Sequence, residues 1–150
     1  MNKSTKYSKV LFILHMPPPV HGASMVGKYI HDSKIINNAF ECHYLNLALA
    51  KDLDDIGKGG IRKLKEFYKQ LKQIRKQTKL IVPQLCYVTP NAKGGAFYKD
   101  FFVVMLLKMM RQNIVVHYHN KGIATRQNRY FDNLLYSCLL YTSPSPRDTR

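Results

Sequence analysis

Two histidines, His117 and His119, stand two apart in NIVVHYH, a stretch that reads as a β-strand over residues 113–119. Alternate residues of a strand share a face, so both rings would project together. His119 falls at the strand's last position, and Asn120-Lys121-Gly122 carry the chain into a loop. A histidine there can bind a sugar hydroxyl or orient an acceptor near neutral pH. His-x-His is also half of a metal site, but no nearby Asp, Glu or Cys cluster supplies the remaining ligands, so no metal is expected. A core histidine with its hydrogen bonds satisfied is the ordinary alternative, and it suits His117 better than His119.

A second group lies in KVLFILHMPPPVHGASMVGK, residues 9–28. The apolar run 10–14 reads as a buried parallel strand, apolar on both faces. Three prolines cannot continue a ladder, so the strand ends near His15. Gly22-Ala23-Ser24 then open a helix-like segment. Glycine lets backbone or ligand approach closely, and the first free N–H groups of the helix suit an anion. That is the layout of a sugar-nucleotide or dinucleotide site, although GxGxxG is absent and a nicotinamide fingerprint is not supported. A tight connection without a ligand fits this segment equally well. His21 would fold over the same crevice or sit in solvent.

The third group is Pro90-Asn91-Ala92-Lys93-Gly94-Gly95, before another helix. Asn91 or Lys93 could meet a phosphate or sugar beside a glycine pair that permits close approach. A helix cap and a solvated lysine are the alternative, favoured for Lys93.

These loops need a scaffold. Strand signals at residues 10–14, 41–47, 85–89 and 113–119 alternate with helix signals at 23–36, 61–79, 96–110 and 125–137. Met25, Tyr29 and Ile36 are inward candidates of the first helix. Ile61, Leu64, Phe67, Leu71, Ile74 and Thr78 recur at spacings of three or four in the second. The alternation predicts an α/β fold, a Rossmann-like parallel sheet flanked by helices with right-handed crossovers. Ligands in such sheets sit at the carboxyl ends of the strands. The loops 16–22, 90–95 and 120–124 would share that rim.

The tail departs from this pattern. One reverse translation of CLLYTSPSPRD, residues 138–148, reproduces a transposase-type sequencing adapter. Residues 138–150 are therefore set aside as adapter-derived, with a natural disordered tail as the alternative. Residues 1–137 form one incomplete domain, long enough for a real core. Its cysteines, Cys42 and Cys86, read as unpaired and favour a reducing cytoplasm. No secretory signal or membrane span is expected.

The formal net charge is +15; the tail carries Arg147, Arg150 and Asp148, which leaves +14. Such a surplus attracts a polyanion or an anionic surface. The helix 61–79 concentrates it, with Arg62, Lys63, Lys65, Lys69, Lys72, Arg75, Lys76 and Lys79 against Glu66 alone. A solvated face is the usual outcome. The sharper expectation is an anionic membrane surface, where each basic residue contributes about 1 kcal/mol. Nucleic acid is not expected, because no reading motif or interleaved aromatics accompany the charge.

KVLFILHMPPPVHGAS, YVTPNAKGGAFYKD and VVHYHNKG together resemble the amino-terminal half of a bacterial glycosyltransferase family 4 enzyme of the GT-B type, over about residues 9–137. The resemblance implies two facing Rossmann-like domains with a nucleotide-sugar between them and sugar transfer with retention of configuration. No cofactor is implied, since the nucleotide-sugar enters as substrate. The amino-terminal domain would serve a glycan or lipid-linked acceptor, in the cytoplasm or at the inner face of the membrane. By the same resemblance, Gly22 with Ala23 forms the donor-diphosphate loop and His119 is the catalytic strand-end histidine. His21, Asn91, Lys93, Asn120 and Lys121 are acceptor-side residues. The paired glutamates of the carboxyl-terminal half are absent, so this chain alone is expected to be inactive. The competing class is a basic nucleotide- or nucleic-acid-binding α/β module without catalysis.

Overall fold

The computed structural model describes residues 8–47, 60–91, 94–118, 134, 135 and 137; side chains are described for these except at 60–63 and 94. Four strands, β1 (Lys9–Leu14), β2 (Glu41–Asn46), β3 (Leu85–Val88) and β4 (Ile114–Val116), form one all-parallel sheet in the order β2-β1-β3-β4. The helices are α1 (Gly22–Asp32), α2 (Lys34–Ala39), α3 (Gly60–Ile81) and α4 (Gly94–Met109). This is the α/β, Rossmann-like architecture the alternation predicted.

β1 is central, which is why its run KVLFIL is apolar nearly throughout. Its side chains alternate between two cores. Leu11 and Ile13 face one side with Cys86, Val88, Ile74 of α3, and Phe97, Val103, Val104 and Leu107 of α4. Val10, Phe12 and Leu14 face the other with Cys42, Tyr44, Leu85, Tyr87, Ile30 and Ile36. Register follows the same alternation: Phe12 lies between Tyr44 of β2 and Tyr87 of β3. Its ring stacks on Tyr44 at 5.1 Å and meets Tyr87 at 5.6 Å between centroids. Both Cys42 and Cys86 are free, and burial pushes the Cys86 thiol up to about 11.

Several sequence expectations need correction. The segment 23–36 is not one helix. Ser33 ends α1, donating its N–H to Ile30 O, and starts α2, its side chain accepting from the Ile36 amide. Serine favours such a cap because its hydroxyl competes for backbone partners. Tyr29 points outward, 67% exposed, while α1 buries Ser24 and Gly27. Tyr29 lies about 200° round the helix from Gly27, away from the sheet. Leu64 of α3 is exposed as well, because the buried stripe there is Gln70, Ile74 and Thr78, an i, i+4 line. The fourth strand is shorter than 113–119: β4 ends at Val116, and His117 lies just beyond it. The helix read over 125–137 falls outside the described residues except for Leu134, Leu135 and Ser137, which are helical. Leu135 packs against the core. Among the described residues no helix is long and apolar enough to cross a membrane.

Candidate functional site

From β1 the chain travels to β2 on one side; from β3 it travels to β4 on the other. The loops leaving β1 and β3 therefore diverge, and a crevice opens between their carboxyl ends, the usual ligand position in open α/β sheets. His15 follows β1 at this point, and Thr89-Pro90-Asn91 follow β3.

A buried acid joins the two walls. Asp100, on α4, has no exposed surface. Its Oδ2 accepts from the Asn91 amide at 2.9 Å and from Asn91 Nδ2 at 2.8 Å, and lies 3.2 Å from Nε2 of His15. Lys99 Nζ stands 3.5 Å from Oδ1 and donates to the carbonyl of Leu47, just past β2, at 2.8 Å. One turn of α4 thus ties together the ends of β1, β2 and β3. Burial pushes the Asp100 carboxyl up. The hydrogen bond from His15, the Lys99 charge, the His15 charge and the Asn91 amide outweigh burial and hold it below the usual carboxylate range.

α1 begins at this rim. His21 is its N-cap: Nδ1 accepts from Ser24 N at 3.2 Å while Ser24 Oγ accepts from His21 N at 2.9 Å, a reciprocal capping box. Burial, then the neighbouring His15 charge, lowers the pKa of His21. The rings of His15 and His21 meet edge-on with centroids 6.1 Å apart. Met25 N donates to His21 O, so the amides of Gly22 and Ala23 are the two of the first turn that no described residue accepts.

Gly22 is open: a Cβ there would meet nothing within 4 Å. No protein contact demands glycine at that position. Gly27 is the glycine the fold requires, since a Cβ there would lie 2.0 Å from the carbonyl oxygen of His15. α1 crosses directly over the end of β1 at this point.

The expected residues are thus brought together in part. His21, Gly22, Ala23 and Asn91 lie at the crevice between β1 and β3. The side-chain nitrogen of Asn91 is engaged with Asp100 and His15, so its Oδ1 is the atom left for an outside donor. Lys93, His119, Asn120 and Lys121 lie outside the described residues. His117 is not a second strand histidine: it is exposed, its N–H donates to Val88 O at 2.9 Å, and its Nδ1 pairs with the Tyr87 hydroxyl. Sequence reasoning missed His15 and Asp100 as partners. The available signals were a histidine closing an apolar strand and a lone acid inside the apolar run 97–110.

Away from the crevice, a groove of about 670 Å³ runs along α3, lined by Leu64, Tyr68 and Leu71 together with Lys65, Lys69 and Lys72. Leu64, Tyr68 and Phe102 are all more than half exposed. Apolar side chains among lysines make a face suited to an anionic interface.

Fold and crevice define a class: a doubly wound α/β domain with a polar site at its topological switch point. Compared with protein-family models, curated proteins and solved structures, the chain matches none of them.

Proposed function

We propose that this chain is the acceptor-side half of a retaining glycosyltransferase, moving a sugar from a nucleotide-sugar to a glycan or lipid-linked acceptor. The observation that carries the reading is the pair of uncommitted amides, Gly22 and Ala23, at the start of α1 beside the β1–β3 crevice. Such amides, with the positive end of the helix dipole, suit the diphosphate of a nucleotide-sugar. The open space over Gly22 leaves room for a phosphate oxygen.

In this reading, Gly22 and Ala23 hold the diphosphate, and His21, expected from the sequence on the acceptor side, caps the same helix and lies between the diphosphate loop and the acceptor, beside the sugar. Asn91 Oδ1 accepts from a hydroxyl of the acceptor. His119 is the residue beside the reacting carbon, with Lys93, Asn120 and Lys121 completing the acceptor side. No cofactor takes part. The groove on α3 with its lysines rests on the anionic inner face of the membrane, where a lipid-linked acceptor would be held.

Titrating the chain with UDP- and GDP-hexoses, followed by amide NMR, tests the proposal. Shifts centred on the amides of His15, Met16, Val20, His21, Gly22, Ala23, Ser24, Thr89 and Asn91 are expected. Shifts confined to α3, or none at any hexose nucleotide, would remove the reading. In a gene product that also carries the second domain, His119→Ala should depress transfer while leaving the fold intact.

A further inference from the structure

Three donors converge on Oδ2 of Asp100, and they decide where the proton of His15 sits. Asn91 gives its backbone N–H and its Nδ2, and His15 brings Nε2 to 3.2 Å. Asn91 Nδ2 also lies 2.9 Å from that same Nε2. A lone pair on Nε2 would face a carboxylate oxygen inside a dry site, where low dielectric magnifies repulsion. A proton on Nε2 turns the contact into a charge-assisted hydrogen bond. Asn91 then gives both its donors to the carboxylate, and Nε2 and Nδ2 are neighbours because they share one acceptor. Neutral His15 is therefore the Nε2–H tautomer, with its lone pair on Nδ1. Asp100 is the positioning residue that fixes it.

His21 is fixed differently. Its Nδ1 accepts the Ser24 amide, so that nitrogen carries the lone pair and Nε2 carries the hydrogen. No described residue bonds Nδ1 of His15 or Nε2 of His21. The two rings lie edge-on with centroids 6.1 Å apart, one with an acceptor nitrogen uncommitted among the described residues and the other with a donor.

We infer that His15 and His21 form a hydroxyl-reading pair for a sugar. An alcohol both donates and accepts, so a single hydroxyl satisfies both rings. A phosphate or carbonyl oxygen only accepts and would leave Nδ1 of His15 unmatched. His15 is 4% exposed, which leaves little space beside its ring. The choice of a sugar as the alcohol rests on the proposed function; the two tautomers do not.

Long-range proton–nitrogen NMR of the imidazoles at pH 7.5, on the full chain, tests the tautomers directly. Both rings should carry hydrogen on Nε2. A hydrogen on Nδ1 of either overturns the pair. Asp100→Asn should abolish the exchange-protected Nε2–H signal of His15, and its persistence would remove Asp100 as the positioning residue. If that variant does not fold, the wild-type tautomer remains decisive.

His21→Asn keeps a capping oxygen but removes the Nε2 donor. Losing one hydrogen bond should weaken binding of a UDP- or GDP-hexose by about tenfold, with bare UDP or GDP changed less than about twofold on the same scale. Equal losses for both, or none, overturn the inference. If no nucleotide or hexose nucleotide binds the wild type, the proposed function falls. Free glucose, mannose and galactose then judge the pair: joint shifts of the His15 and His21 ring signals support it, and unmoved signals refute it.

Discussion

Replacing Gly27 by alanine sets two effects of opposite sign against each other. Gly27 is in the interior of α1, where glycine costs about 1 kcal/mol relative to alanine. Helix propensity alone therefore predicts that Gly27→Ala stabilises the protein. The fold predicts the reverse, because the new Cβ would fall 2.0 Å from the His15 carbonyl oxygen and 3.1 Å from its carbonyl carbon. Both obstructing atoms are backbone, so no side chain can swing aside. α1 and the end of β1 must separate by roughly 1 Å, and overpacking of this kind costs up to about 3 kcal/mol. After the propensity gain, a net loss of about 2 kcal/mol remains. With a urea slope of about 1–3 kcal/mol per molar, the unfolding midpoint should fall by about 1 M. Gly22→Ala is the matched control, since its Cβ meets nothing within 4 Å. A midpoint for Gly27→Ala equal to or above wild type would refute the close crossing of α1 over β1.

Asp100→Asn should cost about 3 kcal/mol at pH 7, because it removes one partner of a buried charged cluster. The folded-state carboxyl lies below its ordinary range, so its contribution is complete above that range and disappears as pH falls through the folded value. Urea midpoints of wild type and variant should therefore converge below about pH 4, and a constant gap would contradict the shift. Val82, just past α3, has φ 51, a left-handed conformation costly for a β-branched side chain. Val82→Gly should raise stability by about 0.5–1 kcal/mol in thermal unfolding, and a lower midpoint would show that its side chain is needed. Reversing Lys65, Lys69 and Lys72 to glutamate should weaken sedimentation with phosphatidylserine vesicles at least 100-fold, at about 1 kcal/mol per lost positive charge. Unchanged sedimentation would remove the membrane from the proposal.

Periodicity made the layers legible. The apolar run of β1 and the strand–helix alternation needed only local pattern to be read, whereas the stripe expected on α3 included exposed Leu64 and left out buried Gln70. Helix faces were harder to orient. Tyr29 and Leu64 looked as suitable for the interior as Ile30 and Ile74, since hydrophobicity alone does not say where a neighbour's backbone lies. Gly27 settled that for α1, and its need for no side chain is visible only once His15 is placed beneath it. The bend at Ser33 was hidden because serine is common both within helices and at their ends. At the rim, the positions of His21, Gly22 and Asn91 followed from the expected strand ends. His15 and Asp100 were not, because they are 85 residues apart and their meeting depends on strand order. Asp100 interrupts an apolar helix and His15 closes an apolar strand, and those two anomalies were the local clues to a buried ionic pair.

Most helices are capped by serine, threonine, asparagine or aspartate, whose oxygens accept an amide throughout the neutral and mildly acidic range. α1 relies on an imidazole nitrogen instead. That cap exists only while the ring is uncharged, so acidification both releases the Ser24 amide and places a cation at the positive end of the helix. The first turn of α1 is consequently an acid-sensitive joint, located where the chain presents its unclaimed amides. In mildly alkaline surroundings it stays wound; under sufficient acid it frays from that end first.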